Sequence, residues 1–135
     1  MTLRRKSREC ALQMLFEWGM NHQSPDRIEM SYWMSARGAE STRRFANQLF
    51  EGAVAQAKTS DSLIEKLSKN WRVERIAEVD RGILRLAIYE LRAGTAPIKV
   101  VINEAIELAK KFSSSESAPF LNGILDAAAK SLEGQ

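Results

Sequence analysis

Cysteine and histidine are nearly absent from this chain. Among 135 residues there is one cysteine, Cys10, and one histidine, His22. A lone cysteine forms no intrachain disulfide, and a free thiol fits a reducing compartment. One His and one Cys do not make a metal site of the His/Cys type. A Cys10–His22 nucleophile pair is set aside, because Cys10 lies among helix-core residues and His22 in a polar turn. The sequence has no GxxxxGK[ST] loop, no GxGxxG turn and no HExxH pair, so the usual phosphate-loop, dinucleotide and zinc-protease chemistries have no anchor. No catalytic residue, metal ligand or cofactor is assigned. Glycine and proline are also sparse, at seven and three, and no tract is of low complexity. Disorder is expected only at the two ends. Glu9, Gln13 and Glu17 interrupt the apolar stretch behind the basic start, which argues against a signal peptide. No run approaches the roughly 18 apolar residues of a membrane span. A cytoplasmic protein without a membrane partner is expected.

Hydrophobic residues make up 44% and charged residues 27%, the values of an ordinary globular protein. The length suits one domain, 1–135, around one core. Net charge is only +3, but its placement is uneven. The stretch "LRRKSRECALQMLFEWGM" carries Arg4, Arg5, Lys6 and Arg8 with only Glu9 nearby. A local basic patch suits an anionic partner such as nucleic acid. The plainer alternative is a solvated basic terminus.

Helix signals dominate. The first helix is predicted from about residue 3 to residue 19. Ser24, Pro25 and Asp26 open a second that stops near Gly38. A third is predicted over 41–57, with Phe45, Leu49, Ala53 and Val54 at core spacing. Ser60-Asp61 opens a fourth, and a short one covers 73–79. "DRGILRLAIYELRAG" is the most apolar segment, with Ile83, Leu84, Ala87 and Leu91 in one stripe and Gly94 as C-terminal cap. Pro97 then starts "PIKVVINEAIELAKKF", and "APFLNGILDAAAKSL" forms the last helix. The fold class is all-α, a compact bundle of about seven helices.

On the first helix, Leu12, Leu15 and Phe16 define the predicted buried face, and Arg5 and Arg8 continue its azimuth. Glu90 sits inside the apolar arc of the central helix and needs a cation or donors; Arg8 is a candidate. Arg4, Arg5 and Lys6 are freer and lie at the positive end of the helix dipole. Glu104 and Glu107 project outward, with Glu107 placed to pair with Lys110 and Lys111. Trp18, Trp33 and Trp71 do not cluster in sequence and read as packing or edge residues. The "SSSESAPF" turn offers hydroxyls and an aromatic at a helix start, suited to phosphates and an unpaired base. Against this, the spacing of Phe120 to Ile124 also suits a core residue. Tyr89 and Val100 project outward and mark a partner surface. Asp80 suits an N-terminal cap.

The segments "RRKSRECALQMLFEW", "VDRGILRLAIYEL", "PIKVVINEAIELAKKF" and "FLNGILD", in this order, closely resemble the NusB family of transcription antitermination factors. Residues 20 to 70 carry little of that signal. The resemblance implies an all-α fold of two helical subdomains. It implies binding of boxA-type single-stranded RNA jointly with NusE, a small-subunit ribosomal protein. It further implies a place in the RNA polymerase antitermination complex on ribosomal RNA operons. By motif match, RNA contact is implied at Arg4, Arg5, Lys6 and Arg8, and around Phe112, Glu116, Ser117 and Phe120; Asp80 falls on the NusE side. Pro119 and Ser113–Ser115 depart from the family pattern. Two other readings are the RNA-binding domain of a ribosomal-RNA cytosine methyltransferase and a helical adaptor.

Overall fold

The computed structural model describes residues 3–69 and 73–133; Trp71 and the outermost terminal residues lie outside them. Seven α-helices and one short 3-10 turn are present among the described residues, and no strand. They are α1 (Leu3–Asn21), α2 (Pro25–Ser35), α3 (Glu40–Ala55), α4 (Ala57–Ser68), the turn Val73–Arg75, α5 (Glu78–Ala93), α6 (Ile98–Phe112) and α7 (Ser117–Glu133). The all-α expectation holds. Ser24 caps α2 by accepting from the Arg27 amide at 3.4 Å, with Pro25 in the first turn. Gly94 ends α5 at φ 67°, ψ 36°, and its amide donates to the Glu90 carbonyl, a left-handed cap that glycine adopts without a Cβ penalty.

α5 is the axis of the molecule. It touches α1, α3, α4, α6 and α7. Its Ile83, Leu84, Leu86, Ala87 and Ile88 are all buried. A single buried apolar cluster draws residues from every helix, from Leu12 and Leu15 of α1 to Leu121 and Leu125 of α7. Tyr89 of α5 lies against Gly52 of α3. A Cβ there would lie 2.2 Å from Cζ of Tyr89, so the Tyr89 ring covers the bare backbone of α3.

Several expectations are corrected. Tyr89 is half-buried against the core rather than projecting outward. Phe16 is 40% exposed; Met14, Ala11 and Cys10 fill the core beside Leu12 and Leu15 instead. α2 stops at Ser35, before Gly38, and α4 begins at Ala57, directly behind α3. Ala77 is the N-cap of α5 and makes no side-chain cap bond, so Asp80 lies in the first turn of the helix and not at its cap. Glu104 is mostly buried and faces α1, as the ion pairs below show, because α6 lays this edge against the basic start of the chain. Glu107 does pair with Lys110, at 3.8 Å, but Lys111 reaches Glu9 of α1 instead, at 3.0 Å.

Arg8 meets Glu90 as the apolar arc requires. Its Nε and Nη2 donate to Oε2 and Oε1, each at 2.8 Å. The two residues are 4% and 2% exposed. Thr95 Oγ1 adds a third donor to Glu90 Oε1 at 2.6 Å. Burial alone would lower the Arg8 pKa, but the bonds and charge of Glu90, with a smaller contribution from Glu104, raise it above its ordinary value. Removing one partner of such a pair strands the other without water. Glu90→Ala is therefore expected to cost about 3 kcal/mol or more, read as a lower urea midpoint with an unchanged transition slope. A midpoint within experimental error of the parent chain would contradict a structural role for the pair.

Candidate nucleic-acid interface

The four N-terminal cations have different surroundings, and elementary electrostatics sorts them. Arg8 is fully engaged with Glu90, so the expectation that it contacts RNA is corrected: its guanidinium is inside the bundle. Arg5 is also engaged. Its Nε and Nη2 donate to Glu104 Oε1 and Oε2 at 3.1 and 2.6 Å, so it is less free than expected, though its side chain is still 43% exposed. The Arg5 bond, more than its charge, holds the Glu104 carboxyl below the ordinary carboxylate range, against the opposing effect of burial. Arg4 and Lys6 are exposed. The Arg4 guanidinium carbon lies 3.9 Å above the Phe45 ring centroid, a cation–π contact that orients it without neutralising its charge.

Arg4 opens onto a cleft of about 330 Å³ lined also by Ser7, Ser41, Arg44, Phe45 and Gln48. Ser7 donates to the Thr42 carbonyl at 3.0 Å, which fixes α1 against α3 and so sets the cleft's width. Arg44 was not singled out by the sequence. Its i,i+4 partner Glu40, at 2.9 Å, makes it look like half of an ordinary surface pair, and such pairs are weak. This cleft therefore presents two exposed guanidinium groups, an aromatic ring and two hydroxyl-bearing residues.

A second cleft, of about 460 Å³, lies at the starts of α5 and α7. It is lined by Arg75, Ile76, Ala77, Asp80, Ser114, Glu116, Ser117 and Phe120. The family resemblance implied different partners for Asp80 and the serine loop; the fold brings the two together. Ser117 Oγ donates to Asp80 Oδ2 at 2.9 Å, and the Ser117 amide donates to Ser114 Oγ at 3.2 Å. The loop serines thus hold one another and Asp80. Asp80 is 7% exposed, yet its Oδ1 is buried without a hydrogen-bond partner. An unpaired buried carboxylate oxygen is costly. Phe120 packs against the core and also lines this cleft. Arg75 was missed because its 3-10 turn has no periodic signal. Phe112 is half-buried against the core and carries Lys111 Nζ 5.5 Å above its ring. Val100 is exposed on α6 and lines neither cleft, and Tyr89 is packed on α3 as described. Cys10 is buried and His22 lies against the Trp18 ring at 5.2 Å, so the fold does not join them into a nucleophile pair. No group of three or more potential metal ligands occurs among the described residues, and none of their helices is long and apolar enough to cross a membrane.

The family model described as "NusB family" matches residues 5–130. The chain is 47% identical over 134 residues to the transcription antitermination protein NusB of Koribacter versatilis, covering 98% of this chain and 92% of the relative. It is 42% identical to the NusB of Anaeromyxobacter sp. strain Fw109-5, covering 98% and 94%. Among solved structures, NusB of T. maritima superposes with a TM-score of 0.85 at 32% identity, covering 96% of this chain and 92% of that one. A chain from the crystal structure of antitermination factors NusB and NusE in complex with dsRNA gives 0.87 at 26% identity, covering 97% and 98%. With a family match over nearly its whole length and relatives this close, the chain belongs to the NusB family.

Proposed function

We propose that this chain is an RNA-binding transcription antitermination factor. It recognises a boxA-type RNA together with NusE and supports processive transcription of ribosomal RNA operons as part of the RNA polymerase antitermination complex. The observation that carries the reading is the near-full-length likeness to a chain solved with NusE and RNA. The chemistry of the two clefts supports it. Recognition here is non-catalytic and cytoplasmic. Arg4 and Lys6, with Arg44 beside them, meet backbone phosphates, and Arg5 joins by exchanging Glu104 for phosphate. Phe120, Glu116 and Ser117 receive an unstacked base, with Arg75 at the rim. Asp80 accepts a donor from the protein partner at the same cleft, which makes RNA and NusE neighbours.

Three experiments test this. In the first, a boxA-type single strand and a duplex of the same sequence are titrated across a salt series. Each phosphate neutralised on a single strand contributes roughly −0.7 to the slope of log affinity against log salt. Arg4→Ala with Lys6→Ala should flatten the slope by about 1.4 on the same principle while helical circular dichroism stays constant. An unaltered slope would remove the start of α1 from the RNA site.

The second concerns Phe120. Phe120→Leu keeps apolar bulk but loses the flat ring. A stacking role costs about 1–3 kcal/mol of RNA affinity, and a packing role about 1–2 kcal/mol of stability. Because Phe120 bridges core and cleft, both are expected to fall. A fall in stability with wild-type affinity would leave packing as its only role.

The third isolates Asp80, which does not cap α5. Asp80→Asn keeps an acceptor for Ser117 and removes the charge. Affinity for NusE should drop about tenfold or more, the size of one bond to a charged group, while RNA binding by the chain alone is retained. Equal losses for RNA and NusE would place Asp80 on the RNA.

A further inference from the structure

A third groove, of about 600 Å³, runs between α2 and α3 and is lined by Asp26, Glu29, Met30, Trp33, Met34 and Asn47. None of these residues lines either cleft described above. Met30 and Met34 are 72% and 84% exposed, the most exposed large apolar side chains among the described residues. They stand one turn apart on the same face of α2. Between them, Trp33 is held rigidly: its indole N–H donates to Asn47 Oδ1 at 2.8 Å, and the Tyr32 ring meets it edge-on at 4.8 Å. Flexible thioethers around a fixed aromatic suit an apolar segment whose side chains they can mould to. Leaving two such side chains in water has a solvation cost that a partner would remove.

The charge of the groove narrows the occupant. The chain is positive overall, yet no lysine or arginine lines this groove, and two carboxylates do. Oε2 of Glu29 is buried without a hydrogen-bond partner. Burial first, then the bond and charge of the neighbouring Glu51 on α3, then Asp26, push the Glu29 carboxyl up to about 8. Carboxyls crowded in this way are relieved by a cation brought among them. A phosphate backbone would meet the Asp26 carboxylate with no lysine or arginine lining the groove, so the groove favours a cation over RNA.

We propose that the α2–α3 groove docks an apolar segment of a partner protein that carries a lysine or arginine. Met30, Met34 and Trp33 take its apolar side chains, and Glu29 with Asp26 takes its cation. This surface is independent of the RNA-binding reading.

The test uses the intact chain with isotope-labelled methionine methyls, observed by NMR. The probes are a short amphipathic leucine–lysine peptide, its leucine–glutamate counterpart and a single-stranded RNA. The methyl signals of Met30 and Met34 should move with the lysine peptide and stay still with the glutamate peptide. Glu29→Gln combined with Asp26→Asn should weaken lysine-peptide binding about tenfold, the loss of roughly 1.4 kcal/mol of ion pairing. Met30→Gln with Met34→Gln should abolish it, with circular dichroism confirming an intact fold. Equal movement with both peptides, no movement of these two methyls, or movement with the RNA would overturn the proposal. So would Met30 and Met34 signals that shift with protein concentration alone, since the occupant would then be a second copy of the chain.

Discussion

The ion pair between Arg8 and Glu90 is the constraint on which the arrangement of this bundle depends. A guanidinium and a carboxylate each lose their hydration inside the core, and the loss is offset only when their bonds align. Two bonds of 2.8 Å satisfy that condition. They leave α1 little freedom to slide or rotate against α5. Because α1 cannot slide, its first turn projects at a defined place on the surface. Arg4 then falls over Phe45, and Arg5 over Glu104. The exposed basic end is a consequence of a buried one.

The cations near α1 form a graded series. Arg8 is held in the core by Glu90, Arg5 is held at the edge of the bundle by the mostly buried Glu104, and Arg4 and Lys6 face solvent. Lys111 and Glu9 add a further tie between α6 and α1 at 3.0 Å. Holding an arginine on a carboxylate reduces the rotamer freedom it must lose on binding.

Much of the fold was legible in the sequence because helical periodicity is a local property. The Ser24-Pro25-Asp26 start and the Gly94 stop are written in adjacent residues, and both appear where the spacing put them. The Arg8–Glu90 pair was legible for a different reason: a carboxylate inside an apolar arc demands a partner, and Arg5 and Arg8 both continued the buried azimuth of the first helix. What failed was whatever depends on a third element. Phe16 lies on the predicted face of α1 but at its margin, where no neighbouring helix covers it. Glu104 projects outward from α6 considered alone, and only the position of α1 turns it inward. Tyr89 seemed unpartnered because the missing side chain of Gly52 gives no signal that a ring lies across it. The convergence of Asp80 with the serine loop, separated by 37 positions, likewise follows from helix packing and not from any local pattern.

Gly52 leaves the backbone of α3 bare, and the Tyr89 ring lies on it where a Cβ would stand. A larger residue there would turn the ring aside and uncover that stretch of α3, so one absent methyl group decides where a tyrosine rests.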